Sequence, residues 1–140
     1  MPSSLESVQL CSFWNVAVCG AHMSGLPLNT QLTSLGAELL LKTTTAPTYK
    51  LYKLAGFTPA RPGLIRVKTG GARIALEVWK LPIEKYGIFV SGVPAPLGFG
   101  TLELADGSSV NGFLCEAYAT EDAIDISSYG GWRDYLANVS

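Results

Sequence analysis

The stretch Arg73–Leu81 constrains the fold most. In an extended chain it places Ile74, Leu76 and Val78 on one side and Ala75, Glu77 and Trp79 on the other. Both faces are largely apolar, so the sheet that holds this strand must be covered on both sides or closed on itself. Glu77 is the only carboxylate in that run. A chain of 140 residues has room for one such core. A single domain over 13–140 is expected, preceded by a flexible leader over 1–12, which is polar, small and without a period.

Other elements follow from pattern and punctuation. Trp14–Cys19 is a short β-branched run stopped by Gly20 and reads as a buried strand. Leu28–Leu35 carries apolar residues at helical spacing, with Asn29 as N-cap and Gly36 as stop. Strands are expected at Glu38–Thr43, Tyr49–Leu54 and Leu64–Val67, separated by prolines and glycines. Pro82 is placed to open a helix through Ile83, Tyr86, Phe89 and Val90, ended by Gly92 and the stiff Pro94–Gly98 loop. Asp106-Gly107 then turns a hairpin between Thr101–Leu104 and Val110–Cys115. A last helix runs through Trp132, Tyr135 and Leu136, capped by Asp125 or Ser127. The whole reads as an α+β fold, a small mixed β-barrel with a few short helices.

Composition excludes several classes of function. Charged residues make up 15% of the chain and the formal net charge is −1, which provides no electrostatic footprint for nucleic acid or an anionic membrane. No segment approaches membrane-spanning length. The three cysteines, Cys11, Cys19 and Cys115, show no C-x-x-C spacing, so a reduced, cytoplasmic setting is expected. One histidine with no cysteine or carboxylate at ligand spacing argues against a metal site. G-x-S-x-G, G-x-x-x-x-G-K-[ST] and G-x-G-x-x-G are all missing, and no cofactor is expected.

That histidine is His22, in the loop Gly20-Ala21-His22-Met23-Ser24-Gly25 directly after the first strand. A strand–loop–helix junction turns backbone N–H groups outward where an anion can be held, and an imidazole there can donate a proton or bind a carboxylate. A histidine that only hydrogen-bonds its own loop accounts for the spacing equally well. Glu77 can orient His22 or be tuned by burial, although a strand carboxylate paired with Arg73 or a nearby lysine is the commoner arrangement. Tyr129-Gly130-Gly131-Trp132-Arg133 suits a helix that docks through Trp132 better than a substrate contact.

Four ordered blocks then carry a resemblance: Val18-Cys19-Gly20-Ala21-His22-Met23-Ser24-Gly25-Leu26-Pro27-Leu28-Asn29, Val93-Pro94-Ala95-Pro96-Leu97-Gly98-Phe99-Gly100-Thr101, Val110-Asn111-Gly112-Phe113-Leu114-Cys115-Glu116, and Asp125 through Leu136. Across roughly 13–137 the chain resembles the C-terminal domain of allophanate hydrolases. The resemblance implies a fold like that of the gamma-glutamylcyclotransferases. Those enzymes place a catalytic glutamate where this chain reads Gly92-Val93-Pro94-Ala95-Pro96, so cyclotransferase activity is not implied. In complete allophanate hydrolases an amidase domain precedes this one, and the C-terminal domain is associated with decarboxylation of N-carboxycarbamate and with assembly. The family's loop histidine matches His22.

The leading reading is therefore a small-molecule enzyme or accessory domain of urea and allophanate degradation, acting on a small dicarboxylate-like substrate. His22 is the expected acid, and Gly20, Ala21, Met23, Ser24, Leu26, Glu77, Pro96, Leu97 and Gly98 are expected to bind or desolvate the substrate. The other reading is a non-catalytic module that forms a homodimer or docks to a separate amidase subunit. A general binder of small acids is a third.

Overall fold

The computed structural model describes residues 12–139. The expected leader lies outside them except for Ser12, whose carbonyl accepts the Ile83 N–H at 3.0 Å; Cys11 lies outside as well.

Strand β1 (Phe13–Val18) is the axis of the molecule. It runs antiparallel to β5 (Ala75–Pro82) in the register Val16↔Trp79 and parallel to β7 (Ser109–Cys115) in the register Val16↔Asn111. With β2 (Glu38–Thr44) and β6 (Leu97–Glu103) these strands form a mixed five-stranded sheet in the order β2-β5-β1-β7-β6. A second sheet, in the order β4-β3-β8, contains β3 (Tyr49–Lys53), β4 (Pro62–Arg66) and the two-residue β8 (Ile124–Asp125). On β5, Leu76, Glu77, Val78 and Trp79 are buried in succession, as a strand covered on both faces requires.

A closed barrel is not found. The five-stranded sheet instead curls until its two edges meet at one end, where Thr45 bridges Leu104, Ala46 N–H bonds Glu103 O and Ala105 N–H bonds Thr44 O. The smaller sheet packs against the opening. Gly63 of β4 lies so close to β7 that a Cβ there would sit 2.8 Å from Cys115 Sγ. Two-sided burial thus arises from curling plus a covering sheet, which strand periodicity alone does not distinguish from closure.

The helices are shorter than their patterns suggest. α1 is only Thr30–Thr33, because Leu26 to Asn29 are taken up in turns of the preceding loop. Asn29 does not cap it with its side chain; the amide donates to His22 O at 2.8 Å. Pro82 ends β5, and a 3-10 turn (Ile83–Lys85) leads into α2 (Tyr86–Ser91). Leu97 opens β6 rather than closing a loop. Asp125 accepts the Ser127 N–H just ahead of a 3-10 turn over Ser127–Tyr129, whose N-cap position is Ile126, so neither Asp125 nor Ser127 caps the last helix; Gly130, with φ +80°, then reverses the chain into α3 (Trp132–Val139). α3 docks through Trp132 and Tyr135, 2% and 8% exposed. No helix among the described residues is long and apolar enough to cross a membrane.

Candidate functional site

β1 ends at Val18 and delivers its chain into the interior, where Cys19 leads to Gly20, a position that must be glycine for a steric reason. A Cβ on Gly20 would lie 2.5 Å from Pro62 Cδ, so only glycine lets the loop pass against the start of β4. Beyond it the backbone folds into consecutive turns, with Met23 N–H to Gly20 O, Leu26 N–H to Met23 O and Leu28 N–H to Ala21 O. The N–H groups of Ala21 and His22 take no part in these turns.

His22 is buried. Its Nε2 lies 2.8 Å from Gln31 Oε1, and its ring stands edge-on to Phe89 and tilted on Phe113, with centroids 5.5 and 5.0 Å away. The imidazole lines a cavity of about 20 Å³ with Gly20, Ala21, Arg61, Leu97 and Phe113. Burial lowers the pKa of His22 and the Arg61 cation lowers it further, against an opposing hydrogen bond to Gln31. Arg61 holds its guanidinium 5.2 Å over the Phe57 ring, and its Nε is buried with no hydrogen-bond partner among the described residues. An unpaired buried guanidinium nitrogen beside an imidazole is suited to a carboxylate.

The other expected site residues divide between neighbouring regions. Gly20, Ala21, His22 and Leu97 come together at this cavity. Leu97 also lines, with Pro96 and Gly98, an outer groove of about 330 Å³. Leu26 is half-buried against the core. Met23 and Glu77 line a different cleft of about 360 Å³ with Lys42 and Arg133.

Ser24 is held by Glu77 through its backbone N–H at 2.8 Å and its hydroxyl at 3.1 Å. Burial by itself would raise the Glu77 pKa, but hydrogen bonds from Ser24, Arg133 and the Trp79 indole outweigh it and bring the pKa below the ordinary carboxylate value. The cation paired with Glu77 is Arg133 on α3, at 2.9 Å, and not Arg73. Arg61 was missed in the sequence because a basic residue between Ala60 and Pro62 carries no pattern; only the approach of β4 to Gly20 brings it to the histidine.

Among known proteins, the family model for the allophanate hydrolase C-terminal domain matches residues 14–137. A urea amidolyase of Saccharomyces cerevisiae is 44% identical over 125 residues, which are 86% of this chain and 7% of that protein. A crystal structure of Kluyveromyces lactis allophanate hydrolase superposes with a TM-score of 0.89 at 38% identity, covering 99% of this chain and 23% of that one. A gamma-glutamyl cyclotransferase structure shares the fold, with a TM-score of 0.52 at 12% identity over 74% of this chain and 67% of its own. The chain thus spans a small part of its larger relatives, and with its α+β, gamma-glutamylcyclotransferase-like fold it belongs to the allophanate hydrolase C-terminal domain family.

Proposed function

We propose that this chain serves urea and allophanate degradation by removing CO₂ from N-carboxycarbamate or a similar carboxylated amide, with His22 as proton donor. One observation carries the reading: His22 and Arg61, whose Nε is buried without a hydrogen-bond partner among the described residues, line the same cavity beside the Gly20–Ala21 backbone. Arg61 binds one carboxylate of the substrate. The other is surrounded by Leu97 and Phe113, and poor solvation there favours its departure as neutral CO₂. As the C–N bond breaks, its electron pair stays on nitrogen, which takes the proton from His22; solvent then reprotonates the imidazole.

The lowered pKa fits this role. Free His22 is mostly neutral at pH 7 and, when protonated, is a stronger acid than an ordinary histidine. A bound dianion raises the pKa again, so substrate and proton are loaded together. A space of about 20 Å³ holds roughly one water. Substrate binding therefore requires Arg61 and Leu97 to part, opening the cavity toward the groove along Pro96 and Gly98. The free thiols of Cys19 and Cys115 suit a reducing, cytoplasmic setting.

The test couples this chain to an amidase that generates N-carboxycarbamate and measures CO₂ and ammonia release. The wild type should accelerate decarboxylation and His22→Asn should lose at least about a hundredfold, the usual minimum contribution of a positioned acid. Full activity in His22→Asn would overturn the assignment.

A second reading has its own observation. Leu39, Leu40 and Leu41 on edge strand β2 are 40–54% exposed, and Leu40 and Leu41 join Phe13 and Trp14 in a groove of about 520 Å³. Such a face suits an assembly module that dimerises or docks to a separate amidase. Sedimentation of the wild type and Leu40→Lys decides this: assembly lost only in the variant supports the reading, and a monomeric wild type indifferent to added amidase contradicts it.

A further inference from the structure

Glu77 on β5 is 2% exposed and both its oxygens are engaged. Oε1 accepts the Ser24 N–H at 2.8 Å and the Trp79 indole N–H at 3.0 Å. Oε2 accepts the Ser24 hydroxyl at 3.1 Å and the Arg133 guanidinium at 2.9 Å. The same Arg133 nitrogen donates to Ser24 O at 2.6 Å. One loop residue is thus held on both sides, its N–H by a strand and its C=O by the C-terminal helix.

A buried carboxylate kept only for stability needs its oxygens satisfied, and any donors would do. Here the donors fix the two peptide planes flanking Ser24, two residues beyond His22. Gly20, on the other side of His22, packs so tightly beside Pro62 that a Cβ has no room there. The imidazole therefore sits on a short span between a closely packed glycine and the hydrogen-bonded Ser24. Glu77 and Arg133 do not line the His22 cavity and are not among the groups that shift the His22 pKa.

We infer that Glu77 and Arg133 are a positioning pair which, by gripping Ser24 from β5 and α3, sets the orientation of His22 and makes the C-terminal helix a working part of the site. The kinetic consequence rests on the decarboxylation reading; the geometric one does not. Displacing an acid by about 1 Å costs on the order of a hundredfold in rate, so the pair governs turnover although neither residue touches substrate.

His22 is the only histidine in the chain, so its ring resonances are unambiguous in the full-length protein. The experiment titrates that ring by NMR in the wild type, Glu77→Gln, Arg133→Met and Arg133→Lys, and measures each in the amidase-coupled assay. Glu77→Gln and Arg133→Met should move the His22 shifts and titration midpoint, and lower kcat about a hundredfold with KM little changed. Arg133→Lys should recover part of both. Unchanged His22 resonances and kcat in folded variants, with only a lower melting temperature, would overturn the inference. If Glu77→Gln fails to fold, Arg133→Met decides, because that side chain is 43% exposed. If the wild type shows no decarboxylation, the functional reading fails and the NMR titration still decides the positioning.

Discussion

At the scale of residues, the site depends on close approaches that allow little substitution. Gly20→Ala drives a methyl group into Pro62, whose ring is fixed at the start of β4. The expected cost is about 1–3 kcal/mol, read as a lower urea midpoint at unchanged m-value. Glu77 gives a pH-dependent counterpart. Its folded-state pKa is lowered, so its contribution to stability is present above the unfolded carboxylate value, about 4.3, and is lost as pH falls through the lower folded value. Glu77→Gln should thus cost about 1–3 kcal/mol at pH 7, and the gap from wild type should narrow below pH 4. A gap constant with pH would contradict a paired, ionised Glu77. The sequence singles out His22 as a candidate because it is a lone histidine between glycines after a buried strand. It does not single out the side chains packed around that loop: Arg61 lies 39 positions away, and Arg133 pairs with Glu77 across 56 positions, distances that only tertiary packing closes.

At the scale of elements, the strands that were legible are those whose neighbours impose a pattern. β5 showed apolar character on both faces because it is buried on both, and the β6–β7 hairpin showed Asp106-Gly107, where Gly107 takes φ +88°. The helix over Leu28–Leu35 was over-read because i, i+3 spacing also suits the consecutive turns that precede α1. β8 was not legible, since its two residues are a strand only through pairing with Tyr52 and Lys53. The parallel contact between β1 and β7 is the joint that sets the sheet order. Gly112 sits at that joint, and a Cβ there would lie 2.7 Å from Ala17 O. Gly112→Ala should accordingly destabilise by about 1–3 kcal/mol or more and expose β1 amides to faster hydrogen exchange. Unchanged exchange would show that β7 can shift without cost.

At the scale of the whole molecule, the curled sheet and its covering sheet bring one end of β1, the start of β4 and the start of β6 to the same place, and the His22 cavity lies where they meet. Two-sided burial was legible from β5; the way it is achieved was not, because periodicity records that a face is covered and not by what. The four sequence blocks that carried the family resemblance include the His22 loop and the start of β6, and these line the cavity together, while Arg61 comes from outside all four. The central claim is that this junction takes a small dicarboxylate between Arg61 and His22. Its most direct test is an NMR titration of His22 with malonate as a stable mimic of the substrate. Saturating malonate should raise the His22 pKa from its lowered value, and Arg61→Met should weaken binding by at least tenfold, about 1.4 kcal/mol. Malonate that leaves the His22 resonance and midpoint unmoved at saturation, or that binds Arg61→Met as tightly as the wild type, would contradict it.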